Sequence, residues 1–128
     1  MGIWALVLAF VLYLIVAIEL MYKKNYPLAM KSFATSLELG DSDPRTRELF
    51  AELHLRTGRW EDAIKQYNFV LQIAPNRTGS IGGLAIALAN SGKKEQAIQM
   101  LSVSLQKNPS DQNLLRARNA IANMGGSQ

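Results

Sequence analysis

The stretch TGRWEDAIKQYNFVLQIAPN, residues 57–76, is followed 34 positions later by SGKKEQAIQMLSVSLQKNPS, residues 91–110. Pro44 and Thr78 are equivalent first positions in this period. Five identities then share one frame: Ala51 with Ala85, Gly58 with Gly92, Ala63 with Ala97, Ile64 with Ile98, and Pro75 with Pro109. Self-similarity at a fixed period indicates a structural repeat, so this period determines the fold class.

Each repeat unit has the sequence features of two helices joined by a tight turn. Asp43 followed by Pro44 is typical of a helix N-cap and first turn. Gly58 fits the left-handed residue that ends this helix, and Pro75 fits the stop after a second helix. Each unit is therefore predicted to be a helical hairpin.

The predicted hairpin has small residues where its helices meet and large residues around them. Ala51 and Ala63 let the helices approach closely, while Trp60, Tyr67 and Leu71 fill the remaining space. At these positions and at the proline stop, the sequence resembles the tetratricopeptide repeat family. That family's 34-residue unit has small residues at its eighth and twentieth positions, aromatic residues near its seventeenth and twenty-fourth, and proline at its thirty-second. The resemblance implies a solenoid of stacked hairpins.

The same frame extends one period toward the N-terminus. Ala17 and Ala29 then occupy the two small positions, while Tyr26 and Phe33 occupy the aromatic ones. This predicts a first repeat whose second helix follows the apolar N-terminal segment and whose first helix is the end of that segment. We therefore expect the N-terminal helix and the solenoid to form one body without a loose tether.

The predicted fold class is all-α, a transmembrane helix continuing into about two and a half to three hairpin repeats plus a capping helix. The predicted segments are the transmembrane helix at 1–24, the second helix of repeat 1 at 25–43, repeat 2 at 44–77, repeat 3 at 78–110, a capping helix at 111–124 and a disordered tail at 125–128. In the capping helix Leu114, Leu115 and Ile121 are expected to face inward.

The N-terminal run IWALVLAFVLYLIVAIELMY, residues 3–22, carries one charge, Glu19. About 20 such residues in a helix cover roughly 30 Å, the thickness of a bilayer's hydrocarbon core. A cleaved signal peptide is less well supported, because no Lys or Arg precedes the run and no small-x-small cleavage site ends it. A buried core helix is disfavoured because the rest of the chain is too small to surround it. A transmembrane helix is therefore predicted.

The charges that flank this run predict its orientation. Lys23, Lys24 and Lys31 follow it, and no basic side chain precedes it. Since basic residues tend to stay in the cytoplasm, a single-pass protein is expected, with its N-terminus outside and its repeats on the cytoplasmic or equivalent face. The lipid bilayer is then one partner of the chain.

Three residues of the run are candidates for contacts made by the membrane helix. Ala5 and Ala9 form a small-xxx-small pair that could contact another helix, although alanine is common in any membrane helix. Glu19 is costly in lipid, so it is expected to reach the headgroups, to pair with Lys23 one helical turn later, or to face a partner, and the pair is favoured.

Composition argues against several functional classes. The chain has no cysteine and a net charge of +4, which the juxtamembrane lysines explain, and the mixing of basic with acidic residues argues against nucleic-acid binding. His54 is the single histidine and occupies a packing position of the repeat. Glu48 and Glu52 lie one turn apart without a second set of ligands. No catalytic residue, cofactor, metal or small-molecule substrate is therefore expected.

The resemblance implies a groove lined by the first helices of successive repeats. Carried over position by position, it gives these candidates: Arg45, Glu48, Glu52, Leu55, Arg56, Gly79, Gly82, Ile86, Ala89, Asn90, Asn113 and Arg116. The basic and amide clamp of the chaperone-binding subgroup is absent. Such a groove would suit a partner segment with an apolar stripe and a basic residue.

Two functional hypotheses remain open from the sequence. The first is a membrane-anchored interaction module that acts as an adaptor, scaffold or assembly factor for a membrane protein complex through its groove. The second is a permanent small accessory subunit held mainly through its transmembrane helix. Both imply protein partners, and subunits of a membrane complex are the expected class.

Overall fold

The computed structural model describes residues 2–124, so the predicted disordered tail at 125–128 lies outside the described residues. Within residues 2–124 the chain forms seven α-helices and no β-strand. The helices are α1 (Gly2–Tyr22), α2 (Tyr26–Glu38), α3 (Pro44–Arg56), α4 (Trp60–Ile73), α5 (Thr78–Asn90), α6 (Lys94–Lys107) and α7 (Gln112–Asn123). The predicted all-α class is confirmed.

Three helix pairs follow one another along the chain. α1 packs against α2, α3 against α4 and α5 against α6, and α7 packs against both helices of the last pair. Successive pairs contact each other mainly through the second helix of one and the first helix of the next. This is the short solenoid of helical hairpins that the repeat implies, with a helix covering its C-terminal end.

The turn inside each hairpin contains one residue in the left-handed conformation. Gly58 has a φ of +74° and Gly92 a φ of +90°, and Lys24, one period earlier, has a φ of +60°. The next residue of each turn closes a matching hydrogen bond. The N–H groups of Asn25, Arg59 and Lys93 donate to the carbonyls of Leu20, His54 and Leu88 over 2.9, 2.8 and 2.8 Å. The repeat frame therefore extends into the first hairpin, as predicted.

The connection between α1 and α2 is a tight turn. α1 ends at Tyr22, slightly before the expected end near Lys24. The Lys23 N–H donates to the Glu19 carbonyl, and the Lys24 N–H donates to the Met21 carbonyl, both over 3.0 Å. The absence of a loose segment here agrees with the expectation that the apolar helix and the solenoid form one body.

Alanines separate the two helices of every hairpin. All six occupy the predicted small positions and are fully buried: Ala17, Ala29, Ala51, Ala63, Ala85 and Ala97. Because a methyl group is the whole side chain at these points, the helix backbones approach closely. This confirms the small-residue pattern in all three hairpins.

The apolar core consists of two clusters. The larger one joins the second and third hairpins to α7, and Tyr67, Leu88 and Leu101 are among its buried members. The smaller one joins the first hairpin to one face of α3, where the rings of Phe33 and Phe50 lie 6.1 Å apart. The second half of α1 belongs to this smaller cluster.

A buried polar layer lies beside the smaller cluster. Asp41 is only 5% exposed and accepts a hydrogen bond of 2.6 Å from the Thr46 hydroxyl at the start of α3. The Ser36 hydroxyl lies 3.1 Å from the Asp41 carboxylate and 3.0 Å from the Phe10 carbonyl of α1. These contacts connect three helices at one level.

The capping helix begins at an N-cap, where the Asp111 carboxylate accepts the N–H of Leu114 over 3.1 Å. Leu114 and Ile121 are buried, as expected. Leu115 is only partly buried, and Ala117 is the third fully buried residue of the inner face. Leu115 lies at the edge of this face, because the fully buried positions follow the helical spacing from Leu114 through Ala117 to Ile121.

Candidate protein-binding groove

The helices α3, α5 and α7 line an open cleft of about 450 Å³. Eight of the candidate residues are brought together on its walls: Glu48, Glu52, Leu55, Gly79, Gly82, Ile86, Asn113 and Arg116. The repeat geometry produces this arrangement, because equivalent positions of successive first helices stack side by side. The cleft is therefore the surface that the resemblance implies.

A second, smaller cleft of about 250 Å³ continues the first toward the N-terminal helix. Met21 and Tyr22 from the end of α1 line one side of it, and Leu49 and Arg56 from α3 line the other. Glu52 lines both clefts. We call the two clefts together the α1–α7 groove.

Glu48 has a structural role that the sequence does not reveal. Its carboxylate accepts two hydrogen bonds from the Arg77 guanidinium, of 2.8 and 3.0 Å, and another from the Ser80 hydroxyl. The Glu48 and Arg77 side chains are 24% and 33% exposed. Glu48 thus joins α3 to the start of α5, and its charge is neutralised inside the fold.

Glu52 is neutralised as well, by a neighbour on its own helix. The Arg56 guanidinium donates to the Glu52 carboxylate over 2.9 Å, and this hydrogen bond raises the pKa of Arg56. The pair is about half exposed, so it can rearrange when a partner binds. The acidic character expected for this end of the groove is therefore largely cancelled.

The floor of the groove depends on glycines that allow close packing. A Cβ at Gly83 would overlap the ring of Tyr67, which is buried beneath α5. A Cβ at Gly82 would lie 3.1 Å from the Asn113 carbonyl of α7. Burial also raises the pKa of Tyr67, which keeps the phenol protonated. These two glycines position helices, whereas a Cβ at Gly79 would meet the Glu48 carboxylate at an ordinary 3.5 Å.

The remaining groove candidates have different surroundings. Arg45 forms an exposed ion pair of 2.7 Å with Asp43 at the start of α3, and neither cleft includes it. Asn90 donates its amide to the Ile86 carbonyl and also lies outside both clefts. Ala89 does not line them either.

The two C-terminal candidates belong to the groove. Asn113 lines it and donates its amide to the Thr78 hydroxyl over 3.2 Å. Arg116 is exposed, and its Nε donates to the carbonyl of Gln112 in the preceding turn. Its guanidinium therefore remains accessible to a partner.

The candidates on the membrane helix lie outside the groove. Ala5 is exposed and Ala9 partly exposed on α1. Glu19 pairs with Lys23 at 3.0 Å, as expected, and both side chains are more than 60% exposed.

His54 has a structural environment. It is 6% exposed, and its ring lies 4.4 Å from that of Phe50. Its Nδ1 has no hydrogen-bond partner, and burial lowers its pKa. Within residues 2–124 no group of three or more His, Asp or Glu residues is arranged to hold a metal ion. His54 thus behaves as a neutral packing residue.

Sequence comparisons identify no relative, whereas structural comparisons do. No protein-family model matches the chain, and no curated protein is significantly similar to it. A tetratricopeptide repeat protein from Parabacteroides merdae is similar in structure, with a TM-score of 0.78 and 17% identity over 92% of this chain and 46% of that one. The Hsp90 co-chaperone Cns1 from Saccharomyces cerevisiae is similar with a TM-score of 0.79 and 17% identity over 93% of this chain and 40% of Cns1.

Yeast Tom70 is also similar, with a TM-score of 0.74 and 20% identity over 90% of this chain and 24% of Tom70. The chain thus spans less than half the length of these three proteins. Similarity at this level of identity concerns the fold. Together with the 34-residue period and the three matching turns, it shows that the chain has a tetratricopeptide-repeat-like fold.

Proposed function

We propose that the chain is a membrane-tethered protein-interaction module that acts as an adaptor, scaffold or assembly factor for a membrane protein complex. α1 is long and apolar enough to cross a membrane, and it serves as the tether. The repeats bind a protein segment, and the lysines after α1 favour the cytoplasmic or equivalent side for them. No enzymatic role, cofactor or small-molecule substrate forms part of this proposal.

The observation that carries the proposal is the continuity of the α1–α7 groove with the membrane helix. Met21 and Tyr22 belong to α1 and also form one wall of the groove. A segment bound there lies within a few residues of the membrane surface. The most suitable partner is therefore the part of another protein that emerges from the same membrane.

The charges of the groove indicate the chemistry of this segment. Glu48 and Glu52 are each paired with an arginine, whereas Lys24 and Arg116 form no salt bridge within residues 2–124. The apolar surface between them includes Leu55 and Ile86. An apolar segment with an acidic residue fits this surface better than the basic segment expected from the sequence.

A protein partner also agrees with one of the structural relatives. Cns1 is described as an Hsp90 co-chaperone, so a protein of similar fold acts together with another protein. Its 17% identity transfers no particular partner to this chain.

The second candidate function is a permanent accessory subunit held through α1. It is supported by the large apolar side chains that α1 leaves exposed, such as Leu8, Leu12 and Ile15, which a neighbouring membrane helix could cover. Ala5 and Ala9 are available for close contact in such an arrangement.

Co-purification from native membranes distinguishes the two candidates. Arg116→Glu changes a charge in the groove, and Arg118→Glu makes the same change on the same helix in a crevice facing α6. If the groove recruits the partner, Arg116→Glu loses it and Arg118→Glu retains it. Circular dichroism of both variants should match that of the unmodified protein.

A second pair of proteins tests the tether. A chain in which a foreign membrane helix replaces the exposed residues of α1 but keeps Ala17, Met21 and Tyr22 should retain the partner if the groove is the main contact. Loss of the partner with the foreign helix, together with its retention by Arg116→Glu, would support the accessory-subunit function instead.

A further inference from the structure

The helix α1 has two parts with different surroundings. Residues 10–22 run beside α2, because the Ser36 hydroxyl near the end of α2 lies 3.0 Å from the Phe10 carbonyl. Ala17 and Met21 are buried in this part. Residues 2–9 extend beyond the level of that contact, and none of them is buried. The first hairpin therefore covers little more than half of α1.

A closed first hairpin is incompatible with a full span of α1. A span takes about 20 residues, or 30 Å, into the hydrocarbon core, which places Phe10 near the middle of the bilayer. Glu38, Asp43 and Arg45 lie at or just after the end of α2, close to the level of Phe10. Hydrocarbon does not solvate charges, so placing these side chains at that depth is unfavourable.

The exposed surface of α1 is nonetheless uncharged as far as residue 18. Along the part beside α2, the exposed residues Val11, Leu12, Ile15 and Val16 lie on the side opposite Ala17, which faces α2. No charged residue occurs among residues 2–18.

In the projecting part, the exposed large apolar side chains are not confined to one side of the helix: Ile3, Trp4, Leu6 and Leu8. A single protein groove covers one side of a helix, whereas lipid covers all sides. The projecting part of α1 therefore matches a lipid environment better than a protein one.

We infer that, in the folded protein, α1 enters only one leaflet of the bilayer and does so obliquely. The eight residues 2–9 extend about 12 Å, which fits within one leaflet of roughly 15 Å. The later turns of α1 lie partly in the same leaflet, with the face opposite Ala17 toward lipid. The exposed pair of Glu19 and Lys23 lies at the headgroups. The start of α1 then lies deepest in that leaflet and does not cross to the far side of the membrane.

This arrangement places all the apolar surface of α1 in either lipid or protein. The face carrying Ala17 and Met21 stays in the first hairpin, the opposite face meets lipid, and no solenoid charge enters the hydrocarbon core. A full span with an open hairpin would instead expose Phe33 and Phe50 to water. The inference rests on the proposed membrane tether, but it changes the depth and the N-terminal side that the sequence predicts.

The depth order of two residues tests the inference. The chain has no cysteine, so Ile3→Cys and Leu12→Cys each give one site for a fluorescent label in the full-length protein. The labelled protein is placed in phosphatidylcholine and phosphatidylglycerol vesicles that carry a nitroxide either at the bilayer centre or near the headgroups. Oblique entry predicts stronger quenching by the central nitroxide at residue 3 than at residue 12.

The opposite depth order overturns the inference, because a spanning helix places residue 12 at the centre and residue 3 near the far headgroups. Weak quenching by both nitroxides at both positions also overturns it, since protein would then cover the helix. Ser42→Cys, on the exposed loop after α2, is the matched control and should be quenched only by a water-soluble reagent. The result does not depend on partner binding, so failure of the groove proposal would be seen separately.

Discussion

The contact between the second and third hairpins differs from the contact between the first and second, although both occupy equivalent places in the repeat. In the former, Tyr67 lies directly beneath the backbone of Gly83, and Glu48 bonds to Arg77. Between the first and second hairpins, the Phe33 ring of α2 packs against Phe50 of α3. The buried carboxylate of Asp41 accepts hydrogen bonds from two hydroxyl groups there. We call them the C-terminal and N-terminal joints.

The difference shows how one repeat pattern serves two environments. The C-terminal joint is formed by α3, α4 and α5, and at Gly83 it has no space for an added Cβ. The N-terminal joint includes α1, whose opposite face exposes large apolar side chains. It combines packed aromatic rings with a buried polar layer. The hydrogen bonds of this layer determine the relative position of α2 and α3. The following substitutions test this comparison.

The largest effect is expected at the floor of the C-terminal joint. In Gly83→Ala the added Cβ overlaps the Tyr67 ring, which cannot move away because it is buried. The free energy of unfolding in detergent should fall by about 2 kcal/mol or more in urea titrations. In the control Gly79→Ala, the Cβ meets Glu48 at an ordinary 3.5 Å, so the helix should gain up to about 1 kcal/mol. Equal stability of the two variants would contradict the close approach.

The N-terminal joint should respond to loss of its buried charge. Asp41→Asn weakens the bonds from Ser36 and Thr46, with an expected cost of about 1–3 kcal/mol. Asp43→Asn is the matched control two residues later, because asparagine caps a helix as well as aspartate. Thermal unfolding followed by circular dichroism should separate the two variants, and equal melting temperatures would show that the polar layer does not stabilise the joint.

A pH effect is expected from His54, which packs on Phe50 at the N-terminal joint. Burial lowers its pKa below the usual 6.5, so the unfolded chain binds the proton more readily. The stability linked to neutral His54 is therefore complete above pH 6.5 and is lost as the pH falls below it, by at most about 1.4 kcal/mol per pH unit.

Unfolding free energies at pH 7.5 and 5.5 measure this effect, and His54→Phe should reduce the difference between them. Asp43 and Asp111, whose pKa values are lowered by hydrogen bonds, lose their contributions only near or below 3.8 and do not interfere. An unchanged pH dependence in the variant would assign the effect to other groups.

The smallest effect distinguishes the two glutamates of the groove. Glu48→Gln weakens the partly buried bonds to Arg77 and should cost about 1 kcal/mol, whereas Glu52→Gln breaks an exposed pair with Arg56 and should cost less than about 0.5 kcal/mol. Urea titration under identical conditions provides the comparison. A greater cost at Glu52 would mean that Glu48 does not stabilise the C-terminal joint.

The local features of the fold follow from the sequence because each depends on a few neighbouring residues. The N-cap at Asp43, the left-handed turns at Gly58 and Gly92 and the buried alanines are all of this kind. The 34-residue repeat frame also predicted that Ala17 belongs to a hairpin, although Ala17 lies within the long apolar run of the sequence.

The contacts of the groove were harder to predict, because they depend on how hairpins stack. The bond from Arg77 to Glu48 joins residues 29 positions apart, and nothing in the repeat frame identifies that partner. The same applies to the contact of Ser36 with the Phe10 carbonyl, which determines how much of α1 the hairpin covers. The depth of α1 therefore could not be derived from its hydrophobicity.

The left-handed residue Lys24 has a consequence for the order in which the hairpins open. Glycine adopts this conformation freely, whereas a lysine pays roughly 1 kcal/mol for it. The equivalent turn amides are those of Asn25, Arg59 and Lys93, which have similar hydrogen-bond lengths. In hydrogen–deuterium exchange, the amide of Asn25 should therefore exchange first, and the first hairpin should be the unit that fluctuates open while the other two stay protected.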